Sequence, residues 1–325
     1  MIAREMIVMR PLWKDILAAV WLGMIIPGIV LNALVLKEHY RERREPAPVA
    51  VETEDAAETL ILIKDPDGIN SLMDIEVYLT GVLLAELPGA FHQEAMMAQA
   101  AAARTYAWKA YTKGGKHADR SVCTDSACCQ AYLSEAEYLS RGGTQESIEK
   151  IRHAVLATSP MAVYYDGELI EATYFSSSGG STESALAVWG TNYPYLQSVS
   201  SPEIVPSVLV SFTSDEFERL LGRTLSGAPE EWFAEMIFTD GGGVSQLEIC
   251  GVTYTGVQLR SLLGLRSTAF SLSVEDGEIL VTTDGYGHRV GMSQYGANAM
   301  AESGHTWQQI LQHYYPGTTL APAYT

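Results

Sequence analysis

The stretch that decides the fold runs from His92 to Thr112, HQEAMMAQAAAARTYAWKAYT. Alanine is the strongest helix former, and this run is dense with it. One stripe of the predicted helix carries Met96, Ala100, Ala103, Ala107 and Tyr111; the adjoining stripe carries Met97, Ala101, Arg104 and Trp108. Arg104 therefore stands among apolar neighbours, where a guanidinium needs a partner or a ligand. Upstream, Ile75, Tyr78, Leu79, Val82 and Leu83 repeat at helical spacing over Asp74–Leu87, and Pro88-Gly89 stops that helix. A short strand is predicted near 59–64. Downstream, Gln145–Thr158 reads as a helix. MAVYYDGELIEATYF (161–175) reads as a hairpin turning at Asp166-Gly167, and FSLSVEDGEILVTT (270–283) repeats that logic at Asp276-Gly277. Residues 291–301 and 305–315 are helical in pattern. Helices are scattered among hairpins without regular βαβ alternation. The expected class is α+β, with mixed helices and antiparallel strands around a groove.

The 325 residues include 21 Lys+Arg and 39 Asp+Glu, a net charge of -18. So acidic a chain is a poor general ligand for nucleic acid, whose phosphates require clustered basic residues. Ile16 to Leu36 holds no charge over 21 residues. As a helix it reaches about 30 Å, the thickness of a hydrocarbon core. A cleaved signal peptide is the rival, but the stretch is long and Lys37-Glu38-His39-Tyr40 offers no small-residue cleavage site. The reading is a cytoplasmic tail at 1–15, a single transmembrane anchor at 16–36, a Pro/Glu-rich linker at 37–58 and a body at 59–325, with room for two lobes. Basic residues flank the anchor almost equally, so charge does not set its orientation. Beyond residue 45 the chain carries 14 basic against 34 acidic residues, a net charge of -20. That charge gains nothing from an anionic cytoplasmic leaflet, and an extracytoplasmic body is expected.

Four segments offer chemistry. Glu86, in GVLLAELPGAF, ends an apolar helix; burial there would raise its pKa and let it serve as a general acid. A solvated helix-end carboxylate is the plain alternative. KHADRSVCTDSACCQAY (116–132) places His117, Cys123, Cys128 and Cys129 at H-x5-C-x4-C-C. Four N/S ligands suit a closed, structural Zn²⁺ site; a disulfide and plain buried thiols remain open readings. Cys250 is isolated and reads as core. YFSSSGGSTES (174–184) is a Ser/Gly loop with hydroxyls to offer, but no G-x-S-x-G elbow marks a serine hydrolase. Gly241–Gly243 read as a turn. DGYGHRVGMSQYGAN (284–298) sets His288 among glycines before a helix whose first turn carries Ser293 and Gln294.

GVLLAELP, AQAAAARTYAWK, CTDSACCQAY, YFSSSGGSTE and GYGHRVGMSQYGA, in that order, resemble the stage II sporulation protein D family over roughly residues 60–320. The resemblance implies a membrane-anchored lytic transglycosylase of peptidoglycan glycan strands, with Glu86 as catalytic acid. It implies a sugar groove formed by Arg104, Tyr174, Ser176, Ser177, Ser178, His288 and Gln294, assigned from their places in the matched motifs. Two positions depart from the family pattern: Cys128 stands where a His is usual in the metal segment, and Arg289 where Gly usually follows the His. The implied zinc ligands are His117, Cys123, Cys128 and Cys129. The implied setting is septal wall thinning and engulfment, on the mother-cell side of the intermembrane space. A cell-wall amidase and a membrane scaffold are the implied partners. A non-catalytic glycan-binding or scaffold protein is the alternative from another class. An amidase is disfavoured, since it needs an open metal site.

Overall fold

The computed structural model describes residues 59–325, which form one compact unit with two hydrophobic cores. The expected anchor at Ile16–Leu36 and the linker at 37–58 lie outside the described residues. Among the described residues, no helix is long and apolar enough to cross a membrane.

Strand β1 (Leu60–Lys64) pairs antiparallel with β2 (Asn70–Asp74) and parallel with the short β3 (Val122–Cys123). Asp74 then caps α1 (Ile75–Glu86), its side chain accepting from the amides of Glu76 and Val77 at 2.9 and 3.1 Å. The helix ends where Leu87, before Pro88, turns extended. Helix α2 (Gln93–Lys113) starts at a His92 cap and stops at Gly114. Nearly every alanine on it is buried, whichever way it faces. Against it pack α1, α4 (Gln145–Ala157), β4 (Met161–Tyr165), α8 (Gln294–Glu302) and α9 (Trp307–Tyr314). The small helix α3 (Glu135–Ser140), with a full capping box, leans on α1. The sequence reading placed these main helices within a few residues of their ends.

The expected hairpin at Asp166-Gly167 forms between β4 and β5 (Glu168–Leu169), and β14 (Thr319–Pro322) adds to its other edge. Both turn residues take positive φ (49° and 80°), as a two-residue turn of this hand requires. Its second strand is shorter than the alternation suggested. The chain leaves the sheet after Leu169, and β6 (Tyr174–Phe175) pairs parallel with β13 (Met292–Ser293) instead. Helix α5 (Ala185–Trp189) follows.

Residues 208–284 carry the second core. There β7 (Val208–Phe212), β12 (Glu278–Asp284) and β11 (Ala269–Glu275) form one antiparallel sheet. Strands β8 (Ile237–Phe238), β9 (Val244–Ile249) and β10 (Val252–Thr255) form another. Helices α6 (Ser214–Leu221) and α7 (Gly256–Leu262) complete it, around Phe217, Trp232, Leu247 and Ile249. The Asp276-Gly277 turn is as expected, and the three glycines lie in a turn closed by Thr239 and Gly243. Cys250 packs at the edge of this core, half-buried rather than central.

Arg104 corrects the sequence reading. It has no exposed surface. Its guanidinium makes a bidentate pair with Glu76, at 2.6 Å (Nη2–Oε2) and 3.2 Å (Nε–Oε1). Its remaining N–H groups go to the carbonyls of Val155, Thr158 and Met161. No donor is left for a sugar. The apolar neighbours that made Arg104 conspicuous are core contacts, and its partner lies one helix away. Arg104 therefore locks α1, the end of α4 and the start of β4 onto α2. Removing one member of a buried, fully bonded pair typically costs about 3–5 kcal/mol. Arg104→Ala is expected to lose that much in chemical denaturation. Arg104→Lys recovers only part of it, because a lysine cannot reproduce the planar fork.

Candidate active site

A groove of about 820 Å³ opens beside the C-terminal end of α1. Glu86, the last residue of that helix, points into it. The site exists because the end of one helix meets the beginning of another. Ser293 caps α8, accepting from the Gly296 amide at 3.1 Å, so Gln294 falls in the first turn. From there the Gln294 amide Nε2 donates to Glu86 Oε2 at 3.0 Å, across 208 residues of sequence. Burial raises the Glu86 pKa; the hydrogen bonds from Gln294 and from the Ala131 backbone pull the other way. Burial wins, so this carboxyl keeps its proton at a higher pH than a surface glutamate.

Tyr174 also faces the groove. Its hydroxyl accepts from Gln130 Nε2 at 2.9 Å, and Gln130 Oε1 accepts from the Tyr78 hydroxyl at 3.2 Å. Burial, and next the nearby Glu86 carboxylate, push the Tyr174 pKa well up, so the phenol stays neutral. His288 lies between the rings of Phe175 and Trp189, at centroid distances of 5.7 and 5.3 Å. Its Nδ1 accepts from the Val290 amide at 3.1 Å. Desolvation, then the Arg260 charge, hold its pKa down to about 4, so it is a neutral wall of the groove at pH 7. Ser176 lines the same wall.

Ser177 and Ser178 do not reach the groove. Ser177 is buried and its backbone pairs with that of Tyr286. Ser178 is fully buried, with both its amide and its Oγ donating to Glu203 Oε1 at 2.7 and 2.8 Å. These two serines brace the loop instead of offering hydroxyls to a ligand. Of the sequence-assigned groove residues, the structure gathers Glu86, Tyr174, Ser176, His288 and Gln294, and sets Arg104, Ser177 and Ser178 apart.

The opposite wall comes from the cysteine loop. The amides of Cys128 and Cys129 both bond the Asp125 carbonyl, at 3.0 and 2.8 Å, and Asp125 Oδ1 accepts from Ala127. This tight turn brings two adjacent cysteines to one side. Nε2 of His117 lies 3.5 Å from Cys128 Sγ, and the two cysteine sulfurs are 3.9 Å apart. The ligand atoms of His117, Cys123, Cys128 and Cys129 all fall within 4.8 Å of one another. Tetrahedral bonds of about 2.0–2.3 Å place ligands roughly 3.3–3.8 Å apart, so small side-chain shifts close this set on one ion. All four cysteines are free thiols in this structure. Both Cys128 and Cys129 also line the groove.

Sequence reasoning missed several groove residues. Trp189, at the end of α5, and Tyr286 are both aromatic, both exposed (42% and 54%) and both face the groove. Arg266 stacks over the Tyr286 ring at 5.6 Å. Gln130 and Glu171 were also missed. Gln130 sits in CCQAY, directly after the metal segment, and that adjacency was the available signal. Arg289 has a backbone explanation. Its φ is +66°, a region glycine enters freely. The side chain repays the strain: buried, it donates to the carbonyls of Ser178, Ser181 and Gly241 at 2.7–2.8 Å and pairs with buried Glu183 at 3.2 Å.

A family model described as "Stage II sporulation protein" matches residues 67–165. Over 259 residues the chain is 39% identical to stage II sporulation protein D of Bacillus subtilis, covering 77% of this chain and 75% of that one. It is 37% identical to the Bacillus amyloliquefaciens protein of that name, covering 77% and 74%. An amidase enhancer of Bacillus subtilis is 28% identical over 74% of this chain and 40% of its own length. The chain thus belongs to a sporulation family with an α+β body built around a groove. That family is stage II sporulation protein D.

The Gln294–Glu86 contact gives a test that needs no substrate. Gln294→Ala removes a donor that favours the carboxylate, so the Glu86 pKa is expected to move further up. A ¹³C NMR titration of the Glu86 carboxyl measures it.

Proposed function

We propose that this protein is a lytic transglycosylase that cleaves peptidoglycan glycan strands with Glu86 as the acid. The observation that carries the reading is a carboxyl whose pKa is raised by burial, in a groove large enough for several sugar rings whose other lining carboxylate, Glu171, is paired with Lys109 at 2.6 Å. Glycoside hydrolysis through water or a covalent intermediate uses two carboxyl groups. The transglycosylase route needs one. Glu86 gives its proton to the glycosidic oxygen as the bond from that oxygen to the muramic acid anomeric carbon breaks, and the leaving sugar departs as an alcohol. The Glu86 carboxylate then takes the proton from the C6 hydroxyl of the same muramic acid. The C6 oxygen bonds to the anomeric carbon, closing a 1,6-anhydro ring and restoring the acid. An intramolecular nucleophile carries an effective molarity of about 10⁵–10⁸ M, which offsets the lack of a second catalytic carboxyl. Gln294 supports the carboxylate between the two proton transfers. Tyr174, Ser176 and His288 supply neutral polar contacts, and Trp189 and Tyr286 offer ring faces to the apolar faces of sugars.

His117, Cys123, Cys128 and Cys129 would hold a zinc ion. Bound there with four protein ligands, zinc supplies structure and no open coordination position. Its loop carries one wall of the groove. The stretch Ile16–Leu36 would anchor the chain in the membrane, with the acidic body on the extracytoplasmic side, in wall degradation during engulfment. A second reading has one specific support. The relative named amidase enhancer suggests that the body acts together with a cell-wall amidase, binding glycan without cutting it. A membrane scaffold remains a proposed partner from the family resemblance.

Mass spectrometry of digests of purified glycan strands separates the readings. Anhydro-sugar ends should appear with the unaltered protein. Glu86→Gln, which keeps size and removes the acid, should lower their rate by roughly 10²–10⁴. The rate should fall as pH rises through the elevated Glu86 pKa, because only the protonated form can start the reaction. Equal product from a folded Glu86→Gln variant would sink the catalytic reading, and no product from either protein favours the scaffold. For the metal, elemental analysis should find about one zinc per chain, and Cys123→Ser should lose it.

A further inference from the structure

Another buried carboxylate, Glu203, stands behind the groove, and the chemistry above makes no use of it. Its partners are hydroxyls and an amide rather than a cation. Oε1 accepts from the Ser178 amide (2.7 Å), from Ser178 Oγ (2.8 Å) and from Ser293 Oγ (2.6 Å). On the other side Oε2 accepts from Ser201 Oγ, which in turn meets the Tyr314 hydroxyl at 2.6 Å. Burying a carboxylate with no cation in direct contact is costly unless donors surround it, and four do so here.

Three of the four donors, the amide and hydroxyl of Ser178 and the hydroxyl of Ser293, belong to segments that shape the groove. Ser178 sits in the Ser/Gly loop, two residues past Ser176 on the groove wall. Ser293 is the cap of α8 and the residue before Gln294. The helix rests directly on this cluster: a Cβ on Gly296 would lie 2.1 Å from the Tyr314 hydroxyl, 2.2 Å from Ser201 Oγ and 2.7 Å from Glu203 Oε2. The loop and the helix are also tied to each other, the Tyr295 amide donating to the Ser176 carbonyl at 3.0 Å. Displacing the Glu203 carboxylate therefore moves the first turn of α8, where Gln294 reaches for Glu86.

We infer that Glu203 is a positioning residue that fixes, through the Ser293 hydroxyl, the Gln294 amide that holds Glu86. The kinetic half of its test rests on the transglycosylase reading; the spectroscopic half does not. The variants are Glu203→Leu, which keeps bulk and removes both acceptors, and Glu203→Gln, which keeps an acceptor for Ser178 and Ser293. Ser293→Ala removes the bridging hydroxyl together with its cap on the Gly296 amide, so its effect counts for Glu203 only where Glu203→Leu, or Glu203→Ala if the leucine variant fails to fold, has the same effect. In the full-length deuterated chain, the Gln294 side-chain amide signals are assigned by their loss in Gln294→Ala. Both Glu203→Leu and Ser293→Ala should displace these signals. Both should lower kcat on glycan strands about tenfold, as misplacement of a catalytic group does, with KM within about twofold. Glu203→Gln should restore most of both readouts. Unmoved Gln294 signals and unchanged kcat in a folded Glu203→Leu or Ser293→Ala variant overturn the inference. So does a Glu203→Gln variant no better than Glu203→Leu. If the unaltered protein cuts no glycan, the transglycosylase reading fails and the amide signals alone decide the role of Glu203.

Discussion

The architecture depends on how closely other elements approach α2. An alanine face presents little more than backbone, so four helices and a strand can press against one helix from several directions. Larger side chains would hold them off by a bulk that interiors packed at crystal density do not forgive. Two of the elements brought in this way are α1 and α8. They belong to opposite ends of the described chain, and their termini meet only because both are seated on α2. Arg104 is the buried charge on this helix. It compensates for its burial by satisfying Glu76 and three carbonyls at once, so it clamps what the alanines allow to approach.

The meeting point places unlike tendencies on one carboxyl. The C-terminal end of α1 is the negative end of a helix dipole, and burial there opposes ionisation of Glu86. The first turn of α8 lends a neutral amide that favours the ionised form. A neutral donor tempers the shift without cancelling it, whereas a lysine or arginine in the same place would drive the group to a permanent carboxylate. The neighbours keep to the same rule. Tyr174 is held neutral by burial, and His288 by desolvation and Arg260, so no group beside Glu86 need exchange charge with it near neutral pH.

The legible part of the fold was local. Alanine density, the Pro-Gly stop after Glu86 and the two Asp-Gly turns are short-range signals, and the elements they mark lie where the sequence placed them. Glu86 was legible for the same reason, since a carboxylate at the end of an apolar helix is visible in eleven residues. Arg104, Ser177 and Ser178 misled because a motif tells which residues stand together in the chain, not which side of the backbone they face. Ser178 turns inward to a carboxylate 25 residues on, and Arg104 to one 28 residues back. Glu203, Trp189 and Tyr286 carry no short-range mark. Their roles arise only from contacts closed by the tertiary fold.

Arg289 shows how the second core is joined to the site. At a position whose backbone suits glycine, the chain carries its longest cationic side chain, wholly buried. The contacts explain the exchange. Gly241 and Gly243 come so near Glu183 that a Cβ on either would lie within 3 Å of its carboxylate. Arg289 fills the remaining side, bonding the Gly241 carbonyl in the segment that carries the second core and the Ser178 and Ser181 carbonyls on the groove loop. A glycine here would relieve the strained φ but leave three buried carbonyls and a carboxylate without this donor. The left-handed backbone is the smaller cost. The Ser/Gly loop is thus held on one flank by the anion of Glu203 and on the other by the cation of Arg289, and a loop rich in glycine and serine gains the rigidity that a groove wall requires.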